Sequence, residues 1–147
     1  MNTLILGIGN LLLCDEGVGV HVARALAQRE LPPNVTVVEV GTAFLDVLPE
    51  IEKADRILLV DAMEAGSAPG TVYRHPFDQC QHPEMLASLH GFDMSRVLFM
   101  AGSDRAPEVT VFGIEPARIE WGTELSPEVR RVMSAVQEAI LNELNEN

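Results

Sequence analysis

The feature that most restricts this chain is a series of short aliphatic runs, each ended by a glycine or an acid and followed by a helical pattern. Thr3 to Ile8 (TLILGI) and Ile57 to Val60 (ILLV) are apolar almost throughout, and Val35 to Val40 (VTVVEV) is β-branched. The two aliphatic runs read as buried strands, and the β-branched run as a second strand between them. Glu108 to Ile114 is the last strand, and Thr71 to His75 is an alternating edge strand cut short by Pro76. With helices between them, these strands specify an α/β chain with a mostly parallel sheet covered on both faces.

The helical segments follow from caps and spacing. Asp15 is placed as an N-cap for a helix from Glu16 to Arg29. A second helix spans Phe44 to Lys53, with Leu45, Leu48 and Ile51 on one face. Shorter helical segments are expected over Glu84 to His90 and, behind Asp93, over Met94 to Ala101; Phe77 to Pro83 reads as irregular. Ser126-Pro127-Glu128 opens the last helix with a cap, a proline at the first helical position and a first-turn acid. Val129, Val132, Met133, Val136, Ile140 and Leu144 then form one apolar stripe. No repeat, linker or low-complexity stretch divides the chain, so residues 1–147 read as a single domain.

Composition closes off several classes of function. At 147 residues and 47% apolar, the chain can build one core without a disulfide or metal staple. Aromatic residues are only 5%, so that core is aliphatic. Ten basic residues against twenty-two acidic ones leave a net charge of −12, which argues against nucleic acid or an anionic membrane as partner. The apolar runs are too short to span a bilayer, and the N-terminus has no basic region or cleavage site of a signal peptide. Cys14 and Cys80 form neither a CxxC metal pattern nor a disulfide framework. The expectation is a cytoplasmic protein with free thiols. No long apolar surface stripe is evident, which favours a monomer.

In a parallel sheet the functional cleft lies outside the carboxyl ends of the strands. Gly7-Ile8-Gly9-Asn10, Gly41-Thr42 and Asp61 all fall there. The first loop lacks the dinucleotide fingerprint, because Leu12 stands where GxGxxG needs its third glycine. Asp15 and Glu16 would also repel a pyrophosphate, so no nucleotide or flavin is expected. Glu16 is either a first-turn acid favoured by the helix dipole or a metal or proton ligand facing the cleft. Asp61, at the end of an apolar strand, is either a cap for the next loop or a site residue. His90, before Gly91-Phe92, is either structural or a ligand. Two carboxylates and an imidazole suit a divalent metal such as Ni²⁺ or Zn²⁺ with open positions, but spacing alone does not bring the three together.

Other candidates are weaker. His21 lies five residues after Glu16, about 140° round a helix, and so on a different face. His75 and His82 sit in polar surroundings beside prolines. Cys14 lies near a helix start, where a thiol is activated, but Asp15 and Glu16 oppose that and a packing role is simpler. Ser88 has no GxSxG elbow around it.

Four segments together resemble one family. Gly7-Ile8-Gly9-Asn10 with Asp15-Glu16-Gly17-Val18-Gly19 resembles the opening motif of the [NiFe]-hydrogenase maturation endopeptidases. Leu59-Val60-Asp61-Ala62 with Ala65-Gly66, Ser88-Leu89-His90, and Gly113-Ile114-Glu115-Pro116 with Gly122 and Leu125-Ser126-Pro127 resemble the family's later motifs, in order. The resemblance implies a twisted five-stranded sheet with helices on both sides. It also implies removal of a C-terminal peptide from a hydrogenase large-subunit precursor after nickel insertion. The family's metal-contact positions fall on Glu16, Asp61 and His90, and the same three carry the expected catalytic role. The nickel is then supplied by the substrate, and the metal either polarises the scissile carbonyl, holds a water, or serves as a template beside a carboxylate general base. Val40-Gly41-Thr42 departs from the paired glycines of many members. A non-catalytic nickel- or precursor-binding factor, and a flavodoxin-like nucleotide binder, are the competing readings.

Overall fold

The apolar runs pair into one five-stranded sheet in the computed structural model, which describes residues 1–41, 44–77 and 107–146. The strands are β1 (Thr3–Ile8), β2 (Val35–Val40), β3 (Arg56–Ala62), β4 (Val72–Pro76) and β5 (Glu108–Ile114). Their order is β2-β1-β3-β5-β4. β1, β2, β3 and β5 are parallel, and β4 runs antiparallel along the outer side of β5. Pro76 therefore sits on an edge strand, the place where its missing N–H is tolerated.

Alternate residues of the central strands feed two different cores, one on each face of the sheet. Leu4, Leu6, Ile57, Leu59, Val109 and Val111 point to one side, where they meet Val47 and Ile51 around helix α2 (Leu48–Lys53). Ile5, Leu58, Val60 and Phe112 point to the other. There they meet Val18, Val22 and Leu26 of α1 (Val18–Ala27), Val129 of α3 (Pro127–Arg130), and Val136 and Ile140 of α4 (Met133–Asn145). Phe112 is the one aromatic among the buried apolar side chains of the described residues, so the core is aliphatic, as the composition required.

The boundaries differ from the sequence reading in informative ways. The expected helix from Glu16 to Arg29 is a 3-10 turn, Cys14–Gly17, followed by the shorter α1. The expected strand from Ile57 to Val60 extends to Arg56–Ala62, because all seven residues pair with β5. Asp61 therefore lies inside the strand, opposite Gly113. Val129, Val136 and Ile140 of the C-terminal stripe are buried and Val132, Met133 and Leu144 partly so, but the helix is interrupted at Arg131–Val132. Ser126 caps it, its Oγ accepting the Val129 N–H at 3.3 Å. The helices expected over Glu84 to His90 and Met94 to Ala101, with Cys80, His82, Ser88 and His90, lie outside the described residues. No helix among the described residues is long and apolar enough to cross a membrane.

Candidate functional site

The strand order creates a crevice. From β1 the chain crosses to β2 on one side, and from β2 it returns across the sheet to β3 on the other. The connections after β1 and β3 diverge, and the space between them is the switch point where ligands of open α/β sheets bind. Glu16 follows β1, and Asp61 is the penultimate residue of β3. The turn carrying Glu16 packs against β3. The structure thus places both carboxylate-bearing segments at one end of one pair of strands.

Glycines make that approach possible. A Cβ on Gly19 would lie 2.2 Å from the Val60 carbonyl oxygen and 2.3 Å from that of Ile8. A Cβ on Gly9 would lie 2.3 Å from the Glu16 carbonyl oxygen. Each contact is against backbone that cannot swing aside. The glycine-rich opening is therefore explained by the start of α1 lying directly on the ends of β1 and β3. This is the close-packing role of glycine, at positions where a phosphate loop would use it to admit a ligand.

Asp15 and Glu16 are neighbours with different environments. Glu16 is half-buried, whereas Asp15 is fully buried. Asp15 Oδ2 accepts the N–H groups of Ala117 at 2.9 Å and Arg118 at 3.0 Å, and Oδ1 accepts that of Ser126 at 2.8 Å. Backbone bonds reinforce the join: Asp15 N–H to Arg118 O, Cys14 N–H to Gly122 O, and Gly122 N–H to Leu12 O. The expectation that Asp15 caps the first helix is corrected here. The turn and α1 carry no side-chain cap, because Asp15 is committed to a segment about a hundred residues away. Cys14 adopts φ 50°, the left-handed region that non-glycine residues enter at a cost of about 1 kcal/mol or more. The clamp around it holds that conformation.

Asp61 has a counterpart arrangement. It is fully buried, and its Oδ1 accepts the Ala62 N–H at 2.8 Å. By strand alternation it shares the α2 face with Ile57 and Leu59. Its neighbour across the sheet, Gly113, leaves a gap that the Met63 side chain enters: a Cβ there would meet Met63 at 2.7 Å. The loop after Asp61 is held by Glu115, which is buried. Glu115 Oε1 accepts the N–H of Ala65 at 2.9 Å, the N–H of Ser67 at 3.1 Å and the Tyr73 hydroxyl at 2.7 Å. Burial of the Tyr73 ring, more than any other influence, raises its hydroxyl pKa, so the phenol stays a donor to that carboxylate.

His90 lies outside the described residues, so only two of the three expected ligands have described positions. Among the described residues no group of three His, Cys, Asp or Glu is close enough to hold a metal ion. Glu16 lies in the 3-10 turn before α1, so the helical offset expected between it and His21 does not apply. Burial, and then Arg24, lowers the His21 pKa. Cys14 is buried, consistent with the packing role.

Two features escaped sequence reasoning. The three-fold use of Asp15 and of Glu115 leaves no periodic or local signal, because the partners are 102 to 111 residues distant for Asp15 and 42 to 50 for Glu115. Trp121 is 80% exposed at the surface of the clamped loop, and the only sequence hint was its solitary occurrence.

A family model described as hydrogenase maturation protease matches residues 20–143. That span includes Asp61 and His90 and begins after Glu16. The hydrogenase 2 maturation protease of Escherichia coli is 30% identical over 100% of this chain and 93% of its own length. The hydrogenase expression/formation protein HupD of Rhizobium leguminosarum is 35% identical over 96% of this chain and 73% of its own. Of the HupD protein of Thiocapsa roseopersicina, 32% identical, this chain spans 65% of the length. The solved structure of the hydrogenase maturating endopeptidase HybD from E. coli superposes with a TM-score of 0.86 at 31% identity, covering 99% of this chain and 93% of that one. The [NiFe] hydrogenase maturation protease HybD from Thermococcus kodakarensis superposes at 0.83 with 29% identity, covering 98% and 99%.

Proposed function

The chain belongs to the hydrogenase maturation protease family, and from that premise we propose that it is an endopeptidase that removes the C-terminal extension of a [NiFe]-hydrogenase large-subunit precursor after nickel insertion. The observation that supports this best is the convergence at the β1/β3 switch point. Glu16 and Asp61 reach the same strand ends, and each stands on a segment pinned by a second, buried carboxylate. Such pinning holds a site in place before its substrate arrives, which is the condition for selective recognition.

In this reading nickel is part of the substrate. Glu16, Asp61 and His90 contribute hard and borderline donors that complete the coordination of a nickel ion already carried by the precursor. The loaded precursor gains an anchor that the unloaded one lacks, so the difference in affinity is the checkpoint. The chain brings no nucleotide or flavin, works on a protein partner in the cytoplasm, and acts as a monomer.

The test uses a C-terminally extended large-subunit precursor prepared with and without nickel, incubated with this protein and weighed by mass spectrometry. Loss of a C-terminal peptide from the loaded form alone is the expected result. A stable complex with no cleavage in either tube would instead make the chain a binding factor. Glu16→Gln, Asp61→Asn and His90→Ala are each expected to abolish processing with the far-UV circular dichroism unchanged. Normal processing by any one of them removes that residue from the site.

A further inference from the structure

The molecule shows a second organised surface beside the Glu16 turn. Leu13 and Gly122 form a parallel bridge, and Gly122 N–H donates to Leu12 O, so the segments around Leu12 and Trp121 run side by side. Trp121 is 80% exposed and Leu12 55%. Large apolar side chains this open are normally scattered singly; here two stand on adjacent backbone segments that Asp15 ties together. Next to them is a cavity of about 340 Å³ lined by Arg118, Trp121, Glu124 and Arg130, with the buried Cys14 at its wall.

Two arginines against one acid, Glu124, leave the lining of that cavity positive on balance, opposite in sign to the chain as a whole. The chain carries −12, yet two of its ten basic residues face this hollow. Among the described residues the Arg118 side chain has only an exposed contact with Glu120 at 3.7 Å, a pairing of little strength. Arg130 donates to Leu125 O at 3.0 Å and makes no ion pair among the described residues, leaving further guanidinium N–H groups for a ligand. A rigid tryptophan beside partly unspent arginines has the composition of an interface hot spot.

We propose that the Leu12–Trp121 ridge and its guanidinium-lined cavity are the surface on which the precursor docks, taking a segment that presents an apolar side chain next to a carboxylate. This rests on the reading of the chain as the protease of that precursor. The occupant follows from position and charge. Leu12 belongs to the same loop as Glu16, and Trp121 to the segment clamped against that loop, so the ridge borders the Glu16 turn. The arginines select a carboxylate, which the acidic remainder of the surface repels. Pre-clamping of the loop spares the ordering cost that a mobile tryptophan would incur on binding.

Trp121 is the one tryptophan of the chain, so full-length protein grown with 5-fluorotryptophan carries a single ¹⁹F reporter. Titration with the unlabelled, nickel-loaded precursor should shift and broaden that resonance. Trp121→Ala removes a side chain that is mostly in solvent, so the variant should fold, and it should raise KM for the precursor about tenfold or more. Arg118→Gln should raise it less. A resonance that stays in place while the precursor is cut overturns the docking surface and leaves the protease reading standing. Absence of both complex and cleavage with the unsubstituted chain overturns that reading and the docking surface with it. A shift that grows with protein concentration before any precursor is added assigns the ridge to a second copy of the chain and also overturns the proposal.

Discussion

Two buried carboxylates, Asp15 and Glu115, do similar work on opposite sides of the crevice and differ in how they do it. Asp15 uses both oxygens, one for Ser126 and one for Ala117 and Arg118, all through backbone N–H groups. Glu115 uses Oε1 for all three of its partners, two backbone N–H groups and the Tyr73 hydroxyl. The first clamp joins the Glu16 turn to the Trp121 loop, and the second joins the loop after Asp61 to the β4–β5 edge. The distribution of donors decides what each site tolerates. A group that must accept at both oxygens cannot be replaced by an amide, whereas one that accepts at a single oxygen can.

Asp15→Asn should therefore produce the largest loss. Either orientation of the amide sets its NH₂ against at least one backbone N–H, so about 3 kcal/mol or more of stability should disappear in urea unfolding, and processing with it. Glu115→Gln should cost about 1–2 kcal/mol, since the amide oxygen keeps all three donors and only the charge assistance is lost. If the two variants prove equally damaging, the distinction between two-oxygen and one-oxygen clamps is wrong. Tyr73→Phe removes one donor of the three and should cost about 1 kcal/mol, with the thermal midpoint as readout.

The smallest effect sets the conditions for the others. The His21 pKa is lowered in the folded state by burial first and by Arg24 second, and its buried Nε2 has no hydrogen-bond partner among the described residues. A base with a depressed folded pKa binds fewer protons folded than unfolded. Its contribution is thus fully favourable above the unfolded value near 6.5 and is lost as the pH falls from there toward the folded value. His21→Gln should flatten the stability curve in that window and leave it unchanged at pH 8, where the clamp variants are best compared.

Much of the fold could be read from residue patterns. The strands of the sheet, the edge position of β4, the aliphatic core and the Ser126 cap all follow from features within a few residues of one another. Asp61 could be placed at the strand end because its surroundings are uniformly apolar. Asp15 was misread because a helix-capping acid and a long-range clamp look identical locally. The helix there begins at Val18, after a turn that a single-residue capping rule does not anticipate.

By itself the sequence determined the α/β class, the parallel sheet and the end of the sheet at which the candidate carboxylates cluster. Hydrophobic periodicity and glycine placement are local properties, and the backbone answers them directly. Tertiary structure decided the strand order that makes a switch point, the two clamps, and the exposure of Trp121 on a rigid loop. Each of these depends on which backbone N–H groups lie within about 3 Å of a carboxylate once distant segments have packed, and no spacing along the chain encodes that proximity.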